Sequence, residues 1–168
     1  MKFLEIEQKY RLKDPPRIRT LLKRLNARLV AKGLEINEFF DSNNFLGRQK
    51  AVLRLRRFGG KAVLTLKGPR LQAKFTKRME IETPVNYAAT KALLGFLGCR
   101  SIMEYSKKRE IYRFGTALVT IDFLPKFGWF LEIEGAPQKI AKISRNLGLR
   151  PTDREEKSYL KMLFGIRH

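Results

Sequence analysis

The chain has 168 residues, 43% of them hydrophobic, and sets 36 Lys and Arg against 16 Asp and Glu for a formal net charge of +20. That length and apolar content suit a single domain spanning 1–168 with a proper core, and they exclude a disordered tail. No apolar run reaches the roughly 20 residues of a membrane-spanning helix, and one cysteine, Cys99, excludes an intrachain disulfide or a cysteine-built zinc site.

The opening stretch Phe3 to Leu12 alternates as a strand with two different faces. Glu5, Glu7, Lys9 and Arg11 share one face; Leu4, Ile6, Tyr10 and Leu12 share the other. Side chains two apart on a strand lie roughly 7 Å from each other, where two carboxylates repel by about 2 kcal/mol at an effective dielectric near 20. This strand begins without a secretory signal, so the expected setting is cytoplasmic, with no membrane partner. Asp14 then suits the N-cap of a helix entered through Pro15-Pro16. Ile18, Leu21, Leu22, Leu25 and Leu29 recur at helical spacing, which predicts a helix ended by Gly33. A second strand is predicted over Leu34–Asp41, followed by the polar loop Ser42-Asn43-Asn44.

Val52–Arg57 and Lys61–Lys67 flank Gly59-Gly60, a strong hairpin signal. Arg54 and Arg56 share a face on the first arm, and Lys67 lies with Thr65 on the second. Thr76–Thr83 sets Arg78, Glu80 and Glu82 opposite Met79 and Ile81. A helix over Pro84–Leu97 leads to a strand at Tyr105–Arg113 with Lys107 and Arg109 on one side. Asp122 sits in the strand Ala117–Phe123, and Glu132 and Glu134 share a face of Trp129–Glu134. Pro137–Leu147 reads as a helix stopped by Gly148. Thr152-Asp153-Arg154-Glu155 has capping-box spacing for a final helix carrying Tyr159, Leu160 and Leu163. Eight strands, mostly hairpin-connected and interspersed with helices, predict an α+β domain on an antiparallel sheet or closed barrel.

On an open sheet these polar faces would simply meet water. Eight strands, however, tend to close. With helices over the apolar exterior, the polar faces would line a channel. Its carboxylates suit hard divalent cations, and its Arg and Lys suit phosphate oxygens. That pairing serves enzymes that cleave polyphosphate chains.

The order of these elements resembles the CYTH superfamily, the triphosphate tunnel metalloenzymes, over nearly the whole chain. E-x-E-x-K (Glu5, Glu7, Lys9) is followed by L-R-L-R (Arg54, Arg56), L-T-L-K-G-P (Lys67) and R-x-E-x-E (Arg78, Glu80, Glu82). K-x-R-x-x-Y (Lys107, Arg109, Tyr112), Asp122, F-G-x-F-x-E-I-E (Glu132, Glu134) and S-Y-L (Ser158, Tyr159) complete the series. The group it looks most like is the class IV adenylyl cyclase type. The resemblance implies an eight-stranded antiparallel tunnel and Mg²⁺ or Mn²⁺ as cofactor. The implied substrate is a triphosphate compound such as ATP or tripolyphosphate, either hydrolysed or cyclised to cyclic AMP and pyrophosphate.

By position, the resemblance implies that Lys9, Arg54, Arg56, Lys67, Arg78, Lys107 and Arg109 bind phosphate. It assigns metal to Glu5, Glu7, Glu80, Glu82, Asp122, Glu132 and Glu134, with Lys67, Glu5 and Glu7 nearest the chemistry. One departure is Asn37-Glu38-Phe39-Phe40-Asp41, where the family has a tyrosine ahead of its aspartate. The missing hydroxyl removes a partner for Lys67. A basic residue near the end of the chain aligns with Arg154 or Lys157. The rival reading is a basic barrel that grips RNA or polyphosphate with little turnover, favoured by the +20 charge and opposed by the acids. Cys99 and the terminal His168 read as unreactive, and the assembly as a monomer or homodimer.

Overall fold

The computed structural model describes residues 4–71 and 75–165. Eight strands form one closed, wholly antiparallel barrel: β1 (Leu4–Leu12), β2 (Arg28–Asp41), β3 (Val52–Phe58), β4 (Lys61–Lys67), β5 (Thr76–Val85), β6 (Arg100–Phe114), β7 (Ala117–Leu124) and β8 (Gly128–Glu134). Around the wall the order is β1-β5-β4-β3-β2-β6-β7-β8, and β8 closes on β1. Two runs of hairpins, β2 to β5 and β6 to β8, are thus joined directly by the β2–β6 ladder on one side and through the opening strand on the other. The helices are α1 (Pro15–Arg24), α2 (Phe45–Arg48), α3 (Tyr87–Phe96), α4 (Pro137–Asn146) and α5 (Tyr159–Phe164). Among the described residues, none is long and apolar enough to cross a membrane.

The main apolar core lies outside the barrel. Tyr10, Val119, Ile121, Leu131 and Ile133 face outward from β1, β7 and β8 and are sealed by Ile18 and Leu22 of α1 and by Ile140 and Ile143 of α4. On the opposite flank Phe40 and Leu55 pack under Leu94 of α3. The period of two along each strand therefore sends apolar groups out to the helices and polar groups into the lumen. The buried Glu38 points outward with Phe40, where Lys91 Nζ and Tyr87 Oη of α3 both donate to its carboxylate. That anchors the helix to the wall.

Two helices differ from their predicted extents. The first does not run to Leu29 or end at Gly33: its C-cap is Leu25, and Asn26 adopts φ 57°, a left-handed conformation that asparagine tolerates. From Arg28 the chain is already strand, paired with β6 from Arg28↔Arg113 onward, and Gly33 sits mid-strand opposite Arg109. A long ladder outcompetes another turn of helix built on Leu25 and Leu29. At the C-terminal end, Pro151–Asp153 makes one 3-10 turn in which Asp153 accepts from Arg150 N. Residues 154–157 then run alongside β1, through the bridge Tyr10↔Arg154 and Glu155 N to Lys9 O. Only Ser158, whose hydroxyl accepts from Lys161 N, starts α5. The capping-box spacing had placed that start too early.

The remaining boundaries differ by a few residues. α3 begins at Tyr87 on an Asn86 cap, not at Pro84, and α2 was not predicted. Asp14 caps α1 as expected, accepting from Arg17 N at 3.0 Å. Gly59 and Gly60 take φ 57° and 76°, the conformation of the two-residue turn their spacing implied. Phe3 and His168 lie outside the described residues.

Candidate active site

Strand alternation brings every predicted site residue except Asp122 to the lumen wall. Glu5, Glu7 and Lys9 come from β1, Arg54 and Arg56 from β3, and Lys67 from β4. Arg78, Glu80 and Glu82 come from β5, Lys107 and Arg109 from β6, and Glu132 and Glu134 from β8. Together they bound about 220 Å³ of open space. Asp122 of β7 lies behind this surface, fully buried, bonded to Lys107 and Arg109.

Register explains how so many charges coexist. Cross-strand partners are Glu5↔Arg78, Lys67↔Glu80, Lys9↔Glu132 and Arg109↔Asp122, four pairs of opposite sign. Directly opposed unlike charges stabilise a sheet and like charges weaken it. The exception is Glu7↔Glu134, acid against acid.

Side-chain contacts follow this plan. Lys67 Nζ donates to Glu5 Oε2 at 2.9 Å and to Glu80. Arg78 Nε reaches Glu5 at 3.4 Å. Glu82 accepts from Thr65 Oγ1 at 2.8 Å and from Arg56 at 3.2 Å. Arg109 grips Asp122 through Nε at 2.7 Å and Nη2 at 2.6 Å, and the same Nη2 reaches Glu132 at 2.8 Å. Lys107 adds 2.8 Å to Asp122, and Tyr159 Oη donates to the same carboxylate at 2.9 Å. Glu7 differs: among the described residues its carboxylate has no side-chain hydrogen bond and no ion pair within 4 Å, although its backbone is paired in the ladder. Burial, together with the charges of Glu132 and Glu5, pushes its pKa above the usual carboxylate range.

Several residues on or directly behind the lining were not read from the sequence. Glu35, 1% exposed, lies 3.2 Å from Arg109, 3.5 Å from Lys107 and 3.9 Å from Arg56. Burial alone would raise its pKa, but Arg109, Lys107 and Arg56 outweigh that and hold it well below the usual range. Glu35, Asn37 and Phe39 follow strict alternation into the lumen, but Glu38 on the other face blurred that pattern. Arg70 lines the space from the loop after β4, its Nη1 donating to Glu156 O at 2.8 Å. Tyr105 belongs to the Lys107/Arg109 row of β6 and could have been read with it.

The Phe39-Phe40 departure resolves by face. Phe39 points inward and stacks on Tyr105 at 5.8 Å, whereas Phe40 points out to α3. Lys67 takes carboxylates as its partners, and phenols enter the site from Tyr105 and Tyr159 instead. The side chain of Tyr159 lies beneath two cations, with Lys9 Nζ 3.9 Å and Lys107 Nζ 4.3 Å from its ring centroid. Neither Arg154 nor Lys157 lines the lumen; the backbone carbonyl of Lys157 accepts from Lys9 Nζ at 3.2 Å. Among the described residues, Arg54 Nε and Thr120 Oγ1 are buried at the wall without a hydrogen-bond partner. Cys99 is half-buried against the α3 core.

The carboxylate chemistry fits a hard cation at Glu7. Among the described residues no three ligating side chains already converge. Mg²⁺ does not need such a cage, since it is commonly held by one or two carboxylates plus substrate phosphates. Asp122 is a weaker candidate ligand, because Lys107, Arg109 and Tyr159 already occupy its oxygens.

Comparison with known proteins agrees with this architecture. The CYTH domain model matches residues 4–159. "Adenylate cyclase CyaB" of Aeromonas hydrophila is 27% identical, over 92% of this chain and 86% of its own. A Vibrio parahaemolyticus structure, described as a candidate adenylate cyclase, superposes with a TM-score of 0.87 at 24% identity, covering 97% of this chain and 99% of that one. A Hippeastrum candidate adenylyl cyclase with a dominant triphosphatase activity superposes with a TM-score of 0.74 at 19% identity, covering 96% and 95%. Shared architecture and a family match spanning nearly its whole length establish that this chain belongs to the CYTH domain family.

Proposed function

We propose that the protein is a divalent-metal-dependent enzyme that binds the triphosphate group of a small molecule in its lumen and cleaves a phosphoanhydride bond there. The observation that carries this reading is the enclosed ring of alternating charge. Arg54, Arg56, Lys9, Lys67, Arg78, Lys107 and Arg109 are held by carboxylates around one cavity. A polyphosphate offers the same oxygens those carboxylates now supply, so it can take over their cations at little cost in reorganisation.

Glu7, with Glu132 and Glu134 beside it on the wall, would hold Mg²⁺ or Mn²⁺. Bound there, the metal would neutralise phosphate charge and polarise the bond to be broken. Arg54 and Arg56 would bind one part of the phosphate chain, and Lys9, Lys107 and Arg109 another. Lys67, released from Glu5 and Glu80, would stabilise charge on the leaving group. Asp122 and Glu35 would orient Arg109 and Lys107 without touching the substrate. The attacking group is water in a triphosphatase and the ribose 3′-hydroxyl in a cyclase. The relative from Aeromonas hydrophila carries the second name and the Hippeastrum protein the first activity. The lining charges read phosphate and leave that choice to the substrate's organic part.

Incubation with tripolyphosphate and with ATP, each with Mg²⁺ or Mn²⁺, tests the proposal by its products. Phosphate or pyrophosphate released only with metal is the expected result, and cyclic AMP from ATP would identify the cyclase. Binding of both compounds without any cleavage would contradict the enzyme and favour a polyanion-binding barrel. Glu7→Gln is expected to lower metal-dependent turnover by about 100-fold. The same change should raise the thermal midpoint of the metal-free protein, because it removes a repulsive charge. A lower midpoint would mean that Glu7 is structural.

Glu80 gives a pH test. Burial first, and its hydrogen bond with Glu5 second, push its pKa from 4.5 up to about 8. The folded protein then keeps a proton that the unfolded chain releases near 4.5, so stability from this site is lost as pH rises from there toward 8. The non-ionising variant Glu80→Gln should therefore gain thermal stability relative to the wild type between pH 5 and pH 8. Parallel melting curves across that range would show that Glu80 ionises normally.

A further inference from the structure

The lumen does not account for the charge of this protein. Its cations are Lys9, Arg54, Arg56, Lys67, Arg70, Arg78, Lys107 and Arg109. Against these eight stand Glu5, Glu7, Glu80, Glu82, Glu132 and Glu134 on the lining, with Glu35 and Asp122 paired to it from behind. By formal charge the site cancels, so the whole excess of +20 belongs to the rest of the chain.

One face of the barrel concentrates it. α1 and α4 have ten residues each and contain no acidic residue between them. Each is about 15 Å long. Both bury their apolar stripes in the same core, through Ile18, Leu22, Ile140 and Ile143. The outer stripes present Arg17, Lys23 and Arg24 on α1 and Lys139, Lys142 and Arg145 on α4. All six are exposed, and among the described residues none has an ion pair within 4 Å. Arg19, the other cation of α1, is committed to Glu110 at 2.9 Å.

The two helices meet where the start of α1 adjoins the end of α4. A groove of about 320 Å³ lies there, lined by Arg11, Lys13, Arg17 and Arg150 and by two acids, Asp14 and Asp153, the second paired with Arg150. Four cations against two acids leave the seam between the helices net basic. Leaving six like charges on one face without counter-ions works against folding, and nothing in the core requires it.

We propose that the α1/α4 face is a docking surface for the phosphodiester backbone of a nucleic acid duplex. Lys139, Lys142 and Arg145 recur every three residues, one row along α4, and Arg17 and Arg24 stand two turns apart on α1. Rows of cations matched to a line of phosphates give affinity without base readout. Apart from Ala141 and Pro residues, the exposed positions of both helices are polar or charged. An anionic membrane would call for large apolar side chains to insert at such a face, and an acidic protein for apolar or aromatic anchors among the charges. The helices offer neither. The lumen takes no part in this contact, so the proposal stands apart from the triphosphate reading.

The test is fluorescence anisotropy with a short labelled duplex bearing hydroxyl ends, which offers the lumen no triphosphate. With about four phosphates engaged, affinity should fall roughly 100-fold between about 50 and 200 mM salt. The triple variant K139E/K142E/R145E should weaken binding at least tenfold while leaving triphosphate turnover unchanged. R48E/K61E/K161E, with the same net-charge change on other elements, should weaken it far less. Absence of binding at low salt would overturn the proposal, as would equal loss in both triple variants. Polyglutamate or anionic vesicles binding as tightly as the duplex would overturn it too.

Discussion

The structure depends on a trade between desolvation and pairing inside the barrel. An isolated charge moved from water into such a lumen costs several kcal/mol even after relaxation. Here that cost is met by neighbours of opposite sign set directly across the ladder, as in Lys9↔Glu132 and Arg109↔Asp122. The pairs do not make the barrel stable in themselves, since an apolar interior would serve at least as well. They keep cations buried and oriented, and they are held by oxygens that another oxygen-rich group can replace. Arg109 is the clearest case, buried and bonded at once to Asp122 and Glu132.

This arrangement turns the usual layering of a small domain inside out. The interior is polar, so the hydrophobic core must lie between the barrel's outer surface and the helices. α1 and α4 seal β1, β7 and β8, and α3 seals the opposite flank. The segment after α4 completes the enclosure: it runs along β1 and delivers Tyr159 beneath Lys9 and Lys107. Its carbonyls at Glu156 and Lys157 accept from Arg70 and Lys9. The C-terminal segment is therefore tied to the same cations that face the cavity.

The barrel was legible because most of its strands alternate cleanly and its turns carry glycine. The β3–β4 hairpin, with Arg54 and Arg56 on one arm and Lys67 on the other, could be read directly from Gly59-Gly60. β2 was legible as a strand over Leu34–Asp41 but its inward face was not, because it has acids on both faces: Glu35 looks in to Arg109 and Glu38 looks out to Lys91. Polarity alone does not distinguish those environments. Arg70 and Tyr159 reach the cavity from a loop and from the helix after an extended segment, so no strand period points to them. The first helix was over-extended because Leu25 and Leu29 keep helical spacing, whereas the conformation of Asn26 and the pairing of Arg28 with Arg113 decide the boundary. Which side chains face the lumen followed from strand parity; which of the acids pair with its cations required side-chain geometry.

A crystal structure with tripolyphosphate and Mn²⁺, with the metal located by its anomalous signal, tests the central claim most directly. The account predicts phosphate oxygens inside the lumen, bonded to Arg54, Arg56 and Arg109 in place of carboxylates, and a manganese peak against Glu7. A triphosphate bound on the outer surface, with the lumen's ion pairs intact, would contradict it.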